Sequence, residues 1–478
     1  MIDHLVQREN GEAPAGAGPG AGVERVVAAA REAEAERLAH RDRVRRFHFD
    51  TIAVHGVYGM AAAMANHGSI MEPLTLAPAQ HFPDSDSMEA ALAYLVPSWT
   101  YSRIANPTNH YLEETLALLE GYGFAGETSA CLTASGMAAV ALATSPFLAV
   151  GGDRRGWAGS RPNIVASAHC YGGTFQLFQE RYAGERGIDV RWVGDPQDAS
   201  AWARLVDEET RFVYGEMPSN PTLALFDIAA VAGIAHERGV PLIVDATVAT
   251  PALMRPLLHG ADIVVHSVSK SIAASGLIIA GAIVARHDIP SRIGPDELRH
   301  DFATYAKLLP GRDTGPALSP FNALMAINDL RTLRSRMDVL SRSTLHIAEQ
   351  LERHPAVASV SYPGLPSAPN HALARRYLRL VDAPEGDAFR AGHLLGFTLR
   401  AGPDAARRVL DRLELIWRAT DLGRIKSVAV IPAISTHQQQ GEAGRLLAHV
   451  PSNLIRLSVG GEHPDDVMAD LEQALTTA

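Results

Sequence analysis

The run Ala261-Asp262-Ile263-Val264-Val265-His266-Ser267-Val268-Ser269-Lys270 decides the reading of this chain. An apolar, strand-like segment ends in two hydroxyls and then a lysine. Upstream, Pro241-Leu242-Ile243-Val244-Asp245 brings another buried strand to an end on a carboxylate. A carboxylate and a lysine at the ends of nearby strands suit pyridoxal 5′-phosphate. The lysine forms a Schiff base with it and the carboxylate pairs with its pyridinium nitrogen. Ser267 and Ser269 are then candidates to hold the phosphate. A lysine after an apolar run is more often a strand end reaching water, so the surrounding sequence must carry the assignment.

Outward from this run the pattern is α/β. Strand-like segments fall at Asn163 to Ala166, Val190 to Val193, Arg211 to Tyr214, Pro241 to Val244 and Asp262 to Val265. Helical stretches lie among them: Glu113 to Leu119, Met137 to Leu148 and Asp227 to Arg238. Strand and helix alternating at this spacing predict a mostly parallel sheet covered on both faces. Ligands of such sheets bind beyond the carboxyl ends of the strands, which is where Asp245 and Lys270 fall. Pro320 to about Arg353 reads as one long helix. After Pro355 short strands (Val357 to Tyr362, Leu394 to Leu399, Leu454 to Val459) alternate with helices (Ala405 to Leu413, Pro464 to Leu475), as in a smaller α+β C-terminal domain. At the other end, residues 10–22 are rich in Gly, Ala and Pro and read as a flexible linker. Residues 23–46 carry Ala, Glu and Arg at helical spacing and read as an exposed helix.

Composition narrows the function classes. A length of 478 residues exceeds one ordinary core, and 47% hydrophobic with 20% charged residues is a soluble globular balance. A net charge of −10 without a large basic cluster gives no support for nucleic-acid binding. Cys131 and Cys170 offer neither a disulfide framework nor a metal spacing, so no metal is expected and a reducing cytoplasm fits. No apolar run is long and continuous enough for a membrane span of about 20 residues.

Further motifs fall in a fixed order: Tyr101-Ser102-Arg103-Ile104-Ala105-Asn106-Pro107-Thr108, Thr133-Ala134-Ser135-Gly136-Met137-Ala138-Ala139, Tyr171-Gly172-Gly173-Thr174-Phe175, Glu216-Met217-Pro218-Ser219-Asn220-Pro221-Thr222, Val244-Asp245-Ala246-Thr247, the lysine run, and Leu454-Ile455-Arg456-Leu457-Ser458-Val459-Gly460. Over roughly residues 50–478 this series resembles the Cys/Met-metabolism family of pyridoxal-phosphate enzymes, which includes cystathionine γ-synthases, methionine γ-lyases and O-acetylhomoserine sulfhydrylases. The resemblance implies a fold-type-I subunit, with a large domain on a mostly parallel seven-stranded sheet and a smaller α+β C-terminal domain. The expected division is an N-terminal extension (1–50, partly flexible), an arm reaching the neighbouring active site (51–110), the cofactor-binding large domain (111–320), and a linking helix with the C-terminal domain (321–478).

The resemblance also implies roles. Lys270 carries the cofactor and acts as base. Tyr171 stacks on the ring and moves protons near the substrate. Tyr101 and Arg103 reach the phosphate of the neighbouring subunit. Ser135, Gly136, Met137, Ser267 and Ser269 cradle the phosphate, with Thr247 beside them. Asn220 meets the phenolic oxygen, Asp245 the ring nitrogen, and Arg456 the substrate α-carboxylate. The implied assembly is a homotetramer, a dimer of active-site dimers. The implied reaction is γ-elimination or γ-substitution on a homoserine- or methionine-like amino acid, with a C–S, C–O or C–halide bond broken at Cγ. The alternatives are a β-lyase of the cystathionine or cysteine type and an inactive, cofactor-binding relative.

Several positions depart from the family pattern. Ser271-Ile272-Ala273-Ala274-Ser275-Gly276 follows the lysine where an aromatic, glycines and a histidine are usual. Ala246 replaces an asparagine, and Gly173 stands where methionine γ-lyases carry a cysteine. In Asp421-Leu422-Gly423-Arg424-Ile425-Lys426-Ser427, Asp421 and Lys426 replace a serine and a glutamate. If Asp421 faces the substrate it falls beside the substrate carboxylate: it is either turned away, or neutralised by Arg424 or Lys426, which is the expectation, or it selects a substrate with a donor or positive group, in a member specialised for a non-standard amino acid.

Overall fold

The computed structural model describes residues 20–148 and 162–476. Twelve strands in two sheets organise the described residues: β1 (Thr128–Thr133), β2 (Asn163–Ser167), β3 (Asp189–Val193), β4 (Thr210–Glu216), β5 (Leu242–Asp245), β6 (Ile263–His266), β7 (Gly281–Arg286), β8 (Val357–Ser361), β9 (Leu394–Leu399), β10 (Trp417–Arg418), β11 (Val428–Val430) and β12 (Leu454–Ser458). The first seven form one sheet in the order β1-β7-β6-β5-β4-β2-β3. Only β7 runs against the others. Alternate side chains feed two cores: Val213, Val244 and Val264 pack on one face, and Tyr214, Ile243 and Val265 on the other. Burial on both faces accounts for the nearly continuous apolar runs that mark these strands in the sequence.

All five expected strands of this sheet are present. β1 and β7 escape the pattern because Thr-Ser-Ala-Cys-Leu-Thr is half polar and β7 opens on a glycine. Helices pack where local chemistry starts them. Asn106 caps the helix Pro107–Glu120 by accepting from the Thr108 and Asn109 amides, and Pro107 occupies its first turn. Glu120, at its end, meets His266 of β6 at 2.9 Å, with both side chains fully buried.

β8, β9, β12, β11 and β10 make the smaller sheet, antiparallel except for the β10–β11 pair. The expected long helix over 320–353 is two, Pro320–Leu330 and Leu333–Arg353, broken at Arg331 and Thr332. Residues on both sides of the break hold the lysine turn. Arg336 donates to the Ser271 carbonyl at 2.7 Å and Asp329 accepts from the Ser275 amide at 3.0 Å. The N-terminal helix spans Ala21–Val44, so Ala21 and Gly22 are helical where a linker was expected. Residues 10–19 of that linker lie outside the described residues. Nor is the helix free on all sides: Arg41 is buried and binds Glu114 and Glu127, each at 2.8 Å.

Candidate active site

The strands β4, β5 and β6 end side by side, and their last residues and following turns form one wall of a cavity of about 430 Å³. Glu216 ends β4, Asp245 ends β5 and pairs with it in register, and the turn after β6 supplies Ser267, Ser269 and Lys270. Asp245 is buried. One of its oxygens accepts from the Thr247 amide at 3.0 Å and the other from the Tyr214 hydroxyl at 3.4 Å. Burial raises its pKa, against the pull of those hydrogen bonds. Glu216 sits deeper in electrostatic terms. Burial and then the Asp245 charge push its carboxyl well up, although it accepts from the Tyr171 and Asn220 amides at 2.6 and 2.7 Å. The sequence reading missed Glu216 as a cavity residue. Its signal was there: an acidic residue closing a strand next to the one closed by Asp245.

A second wall is built around a helix start. Ser135 caps the helix Gly136–Thr144, accepting from the Ala138 amide at 3.1 Å. A Cβ on Gly136 would lie 2.6 Å from the Ser267 Cβ, so only glycine lets the helix start approach the lysine turn. The Thr247 hydroxyl accepts from the Ser267 amide at 2.8 Å and fixes that turn. Together with Met137 these residues line the cavity, and the uncapped amides and dipole of the helix start suit an anion there. Ser269 differs from expectation. Its hydroxyl donates to the Ala280 carbonyl and accepts from the Ala280 amide, each at 2.9 Å. Its one proton is thus spent on locking the turn, not offered to a phosphate.

The third wall comes from the smaller domain. Arg456, on β12, is 1% exposed and donates to the Asn220 side-chain oxygen at 2.8 Å and the Asp421 carbonyl at 2.6 Å. Burial lowers its pKa to about 10, leaving it charged at neutral pH, and its Nε has no hydrogen-bond partner. Such a guanidinium is prepared for a carboxylate. With its oxygen taken by Arg456, Asn220 keeps its amide nitrogen as a donor. Tyr171 lines the same cavity and is partly exposed.

Asp421 does face this cavity. One oxygen bonds the Lys270 ammonium and the other accepts from Arg424 Nε at 2.5 Å. The expected neutralisation by Arg424 is present, but the second cation is Lys270. Lys426 lies instead over the Trp417 ring, 4.8 Å from its centroid. Burial works to raise the Asp421 pKa, yet Lys270 and Arg424 outweigh it and hold the carboxyl below its usual range. Burial pushes the Lys270 pKa down, and Asp421 only partly opposes it.

Tyr101 and Arg103 are not among the residues lining the cavity of their own chain. Tyr101 is 44% exposed and Arg103 stacks on it at 5.5 Å while donating to the Arg312 carbonyl.

The residues present fit pyridoxal phosphate. The chain has three lysines. Lys307 is committed to Glu113 at 2.6 Å and Lys426 to Trp417, which leaves Lys270 alone in the cavity, with a buried acid and a glycine-opened helix start in the adjoining walls. On this sheet, that combination defines a pyridoxal-phosphate-dependent enzyme. The comparisons agree and go further: the chain belongs to the Cys/Met metabolism PLP-dependent enzyme family, whose model matches residues 50–476. It is 34% identical to an O-acetyl-L-homoserine sulfhydrylase of Leptospira meyeri, over 90% of this chain and 97% of that one. It is also 34% identical to an L-methionine gamma-lyase of Pseudomonas deceptionensis, over 91% and 98%. A solved structure described as an O-acetylhomoserine (thiol)-lyase of Campylobacter jejuni superposes with a TM-score of 0.79 at 31% identity, covering 90% of this chain and all of that one, and it carries N′-pyridoxyl-lysine-5′-monophosphate.

Proposed function

We propose that this protein catalyses γ-elimination or γ-substitution on a homoserine- or methionine-like α-amino acid. The observation that carries the reading is that one cavity holds both Lys270, the one lysine that lines it, and a buried arginine with an unpartnered nitrogen. The similarity to a sulfhydrylase and a γ-lyase supports reaction at Cγ. Bound pyridoxal phosphate supplies an electron sink for carbanion chemistry. The chain supplies the rest. Asp245 holds a proton at the ring nitrogen. Ser135, Gly136, Met137, Thr247 and Ser267 hold the phosphate, and Asn220 donates to the phenolic oxygen. Arg456 fixes the substrate α-carboxylate, which aims the Cα–H bond at Lys270. The Lys270 amine takes that proton and returns one later. Tyr171, which lines the same cavity, protonates the group leaving Cγ.

Tyr101 and Arg103 act on the site of a second copy in this reading. Support comes from the arm they belong to, where Met60, Met64, Ile70 and Leu76 are all strongly exposed. The division at residues 50, 110 and 320, a dimer-of-dimers assembly and a cytoplasmic location belong to the same proposal. Two buried free cysteines suit a reducing compartment, and no described helix is long and apolar enough to cross a membrane.

An amino-acid panel tests the reaction class. Homoserine esters and methionine, each with and without an added thiol, should give 2-oxo acids or γ-substituted products. Turnover of cysteine or cystathionine alone, with none of these, would move the protein to the β-lyases.

A further inference from the structure

Asp421 and Arg424 reach Lys270 from a loop that lies directly on the lysine turn. Arg424 donates to the Ser269 carbonyl and, at 3.2 Å, to the Ala273 carbonyl, and the Ile425 amide donates to the Ala274 carbonyl at 3.0 Å. Gly423 has a φ of +70°, and a Cβ there would meet the Ser271 amide nitrogen at 2.7 Å. The Gly423 amide is tied to Ser458 of β12 at 2.9 Å. The loop therefore cannot shift without shifting the turn that presents Lys270. Within this clamp the three charges form a chain, Lys270 to Asp421 to Arg424, with one Asp421 oxygen for each cation. The Leu422 amide also donates, at 2.9 Å, to the oxygen that faces Lys270.

We infer that Asp421 and Arg424 are opposed positioning residues that set the protonation of Lys270, Asp421 holding it as an ammonium and Arg424 drawing on the same carboxylate to release it. The inference rests on the assignment of Lys270 as the cofactor lysine. Other charged or titratable groups share the cavity: Arg456, which also disfavours the ammonium, and Tyr171, Glu216 and Asp245. None of these is hydrogen-bonded to Lys270, whereas Asp421 is.

The consequence concerns cofactor capture. Lys270 attacks the aldehyde carbon of pyridoxal phosphate only as a neutral amine. Its ammonium proton first passes to solvent, the C–N bond forms, and the aldehyde oxygen leaves as water. Below the lysine pKa, each unit of downward displacement raises the neutral fraction about tenfold. Asp421→Asn, which keeps the shape, should lower the midpoint of the pH–rate profile for capture by the full-length apoprotein. At neutral pH it should speed capture by about tenfold. Arg424→Gln should act with the opposite sign, raising the midpoint and slowing capture severalfold.

The readouts are growth of visible absorbance at a series of pH values and the mass of the borohydride-fixed product at Lys270. Unfolding curves for both variants guard against misfolding. Opposite displacements would bear the inference out. Unmoved midpoints, or displacement of both in one direction, would overturn it, because a loop that merely braces the turn alters the rate and not the pH dependence. A label on Lys270 with unmoved midpoints sinks this inference alone. A label on Lys307 or Lys426 sinks the cofactor assignment and this inference with it.

Discussion

Lys270 and Asp245 reach the cavity from the ends of adjacent parallel strands, whereas Asp421 and Arg456 reach it from a smaller domain built on a largely antiparallel sheet. The first pair is held by short-range hydrogen bonds at the sheet edge. The Thr247 amide fixes Asp245, and Thr247 with Ala280 fixes the turn that carries Lys270. The second pair is held across elements through charged side chains: Arg456 by Asn220 and the Asp421 carbonyl, Asp421 by Lys270 and Arg424. Sheet geometry thus fixes the groups proposed to serve the cofactor. A web of charges joins the groups proposed to meet the substrate.

If that contrast holds, the largest effect belongs to the sheet side. Lys270→Ala should lower turnover by at least about 10²–10⁴-fold, the range for a positioned proton-transfer group, and should abolish covalent cofactor attachment. Steady-state kinetics and the visible spectrum check this, and residual activity within tenfold of wild type would break the contrast at its strongest point.

Arg456→Ala should come next. Truncating one member of a buried, hydrogen-bonded charge arrangement costs about 2–5 kcal/mol, so kcat/KM should fall by a factor between about 30 and a few thousand. The fall should appear for every α-amino acid in the panel, with cofactor affinity kept. Equal loss of cofactor and substrate binding would mean that the two walls are not separable.

A smaller, pH-dependent effect sharpens the sheet side. Folded, Asp245 and Glu216 both titrate above their ordinary range. The folded apoprotein therefore binds more protons than the unfolded chain between that range, near pH 4, and the raised values. This stability is complete below the ordinary range and is lost as pH rises through the raised one, about 1.4 kcal/mol per unit of displacement. Asp245→Asn removes one of the two acids and relieves the other. Apoprotein unfolding temperatures between about pH 5 and pH 8 should accordingly fall less steeply in the variant. Parallel curves would show that the two carboxyls do not oppose each other.

The unequal legibility of the two walls follows from how each is built. Val264, Val265 and Val244 announce their strands because burial on both faces leaves no polar interruption, so Asp245 and Lys270 stand out where those runs stop. β1 lacks such a run, and its place in the sheet follows from pairing with β7 over six residues, a long-range fact that no local pattern carries. The helix break at Arg331 and Thr332 was invisible because apolar spacing continues through it. A lone acid at a strand end usually reaches water, and the burial of Glu216 beside Asp245 is a fact of packing. Asp421 could be placed near the substrate from its position in the motif order. Its bond to Lys270 joins residues 151 positions apart, and packing alone reveals it.

The assignment of Lys270 is open to a decisive labelling experiment because the chain has so few lysines. Incubation with pyridoxal phosphate, borohydride reduction and peptide mass mapping can report only Lys270, Lys307, Lys426 or the amino terminus. The pyridoxyl group should be found on Lys270 at close to one per chain, with Lys307 and Lys426 unlabelled. Stoichiometric label on either of those two, with Lys270 bare, would contradict the account.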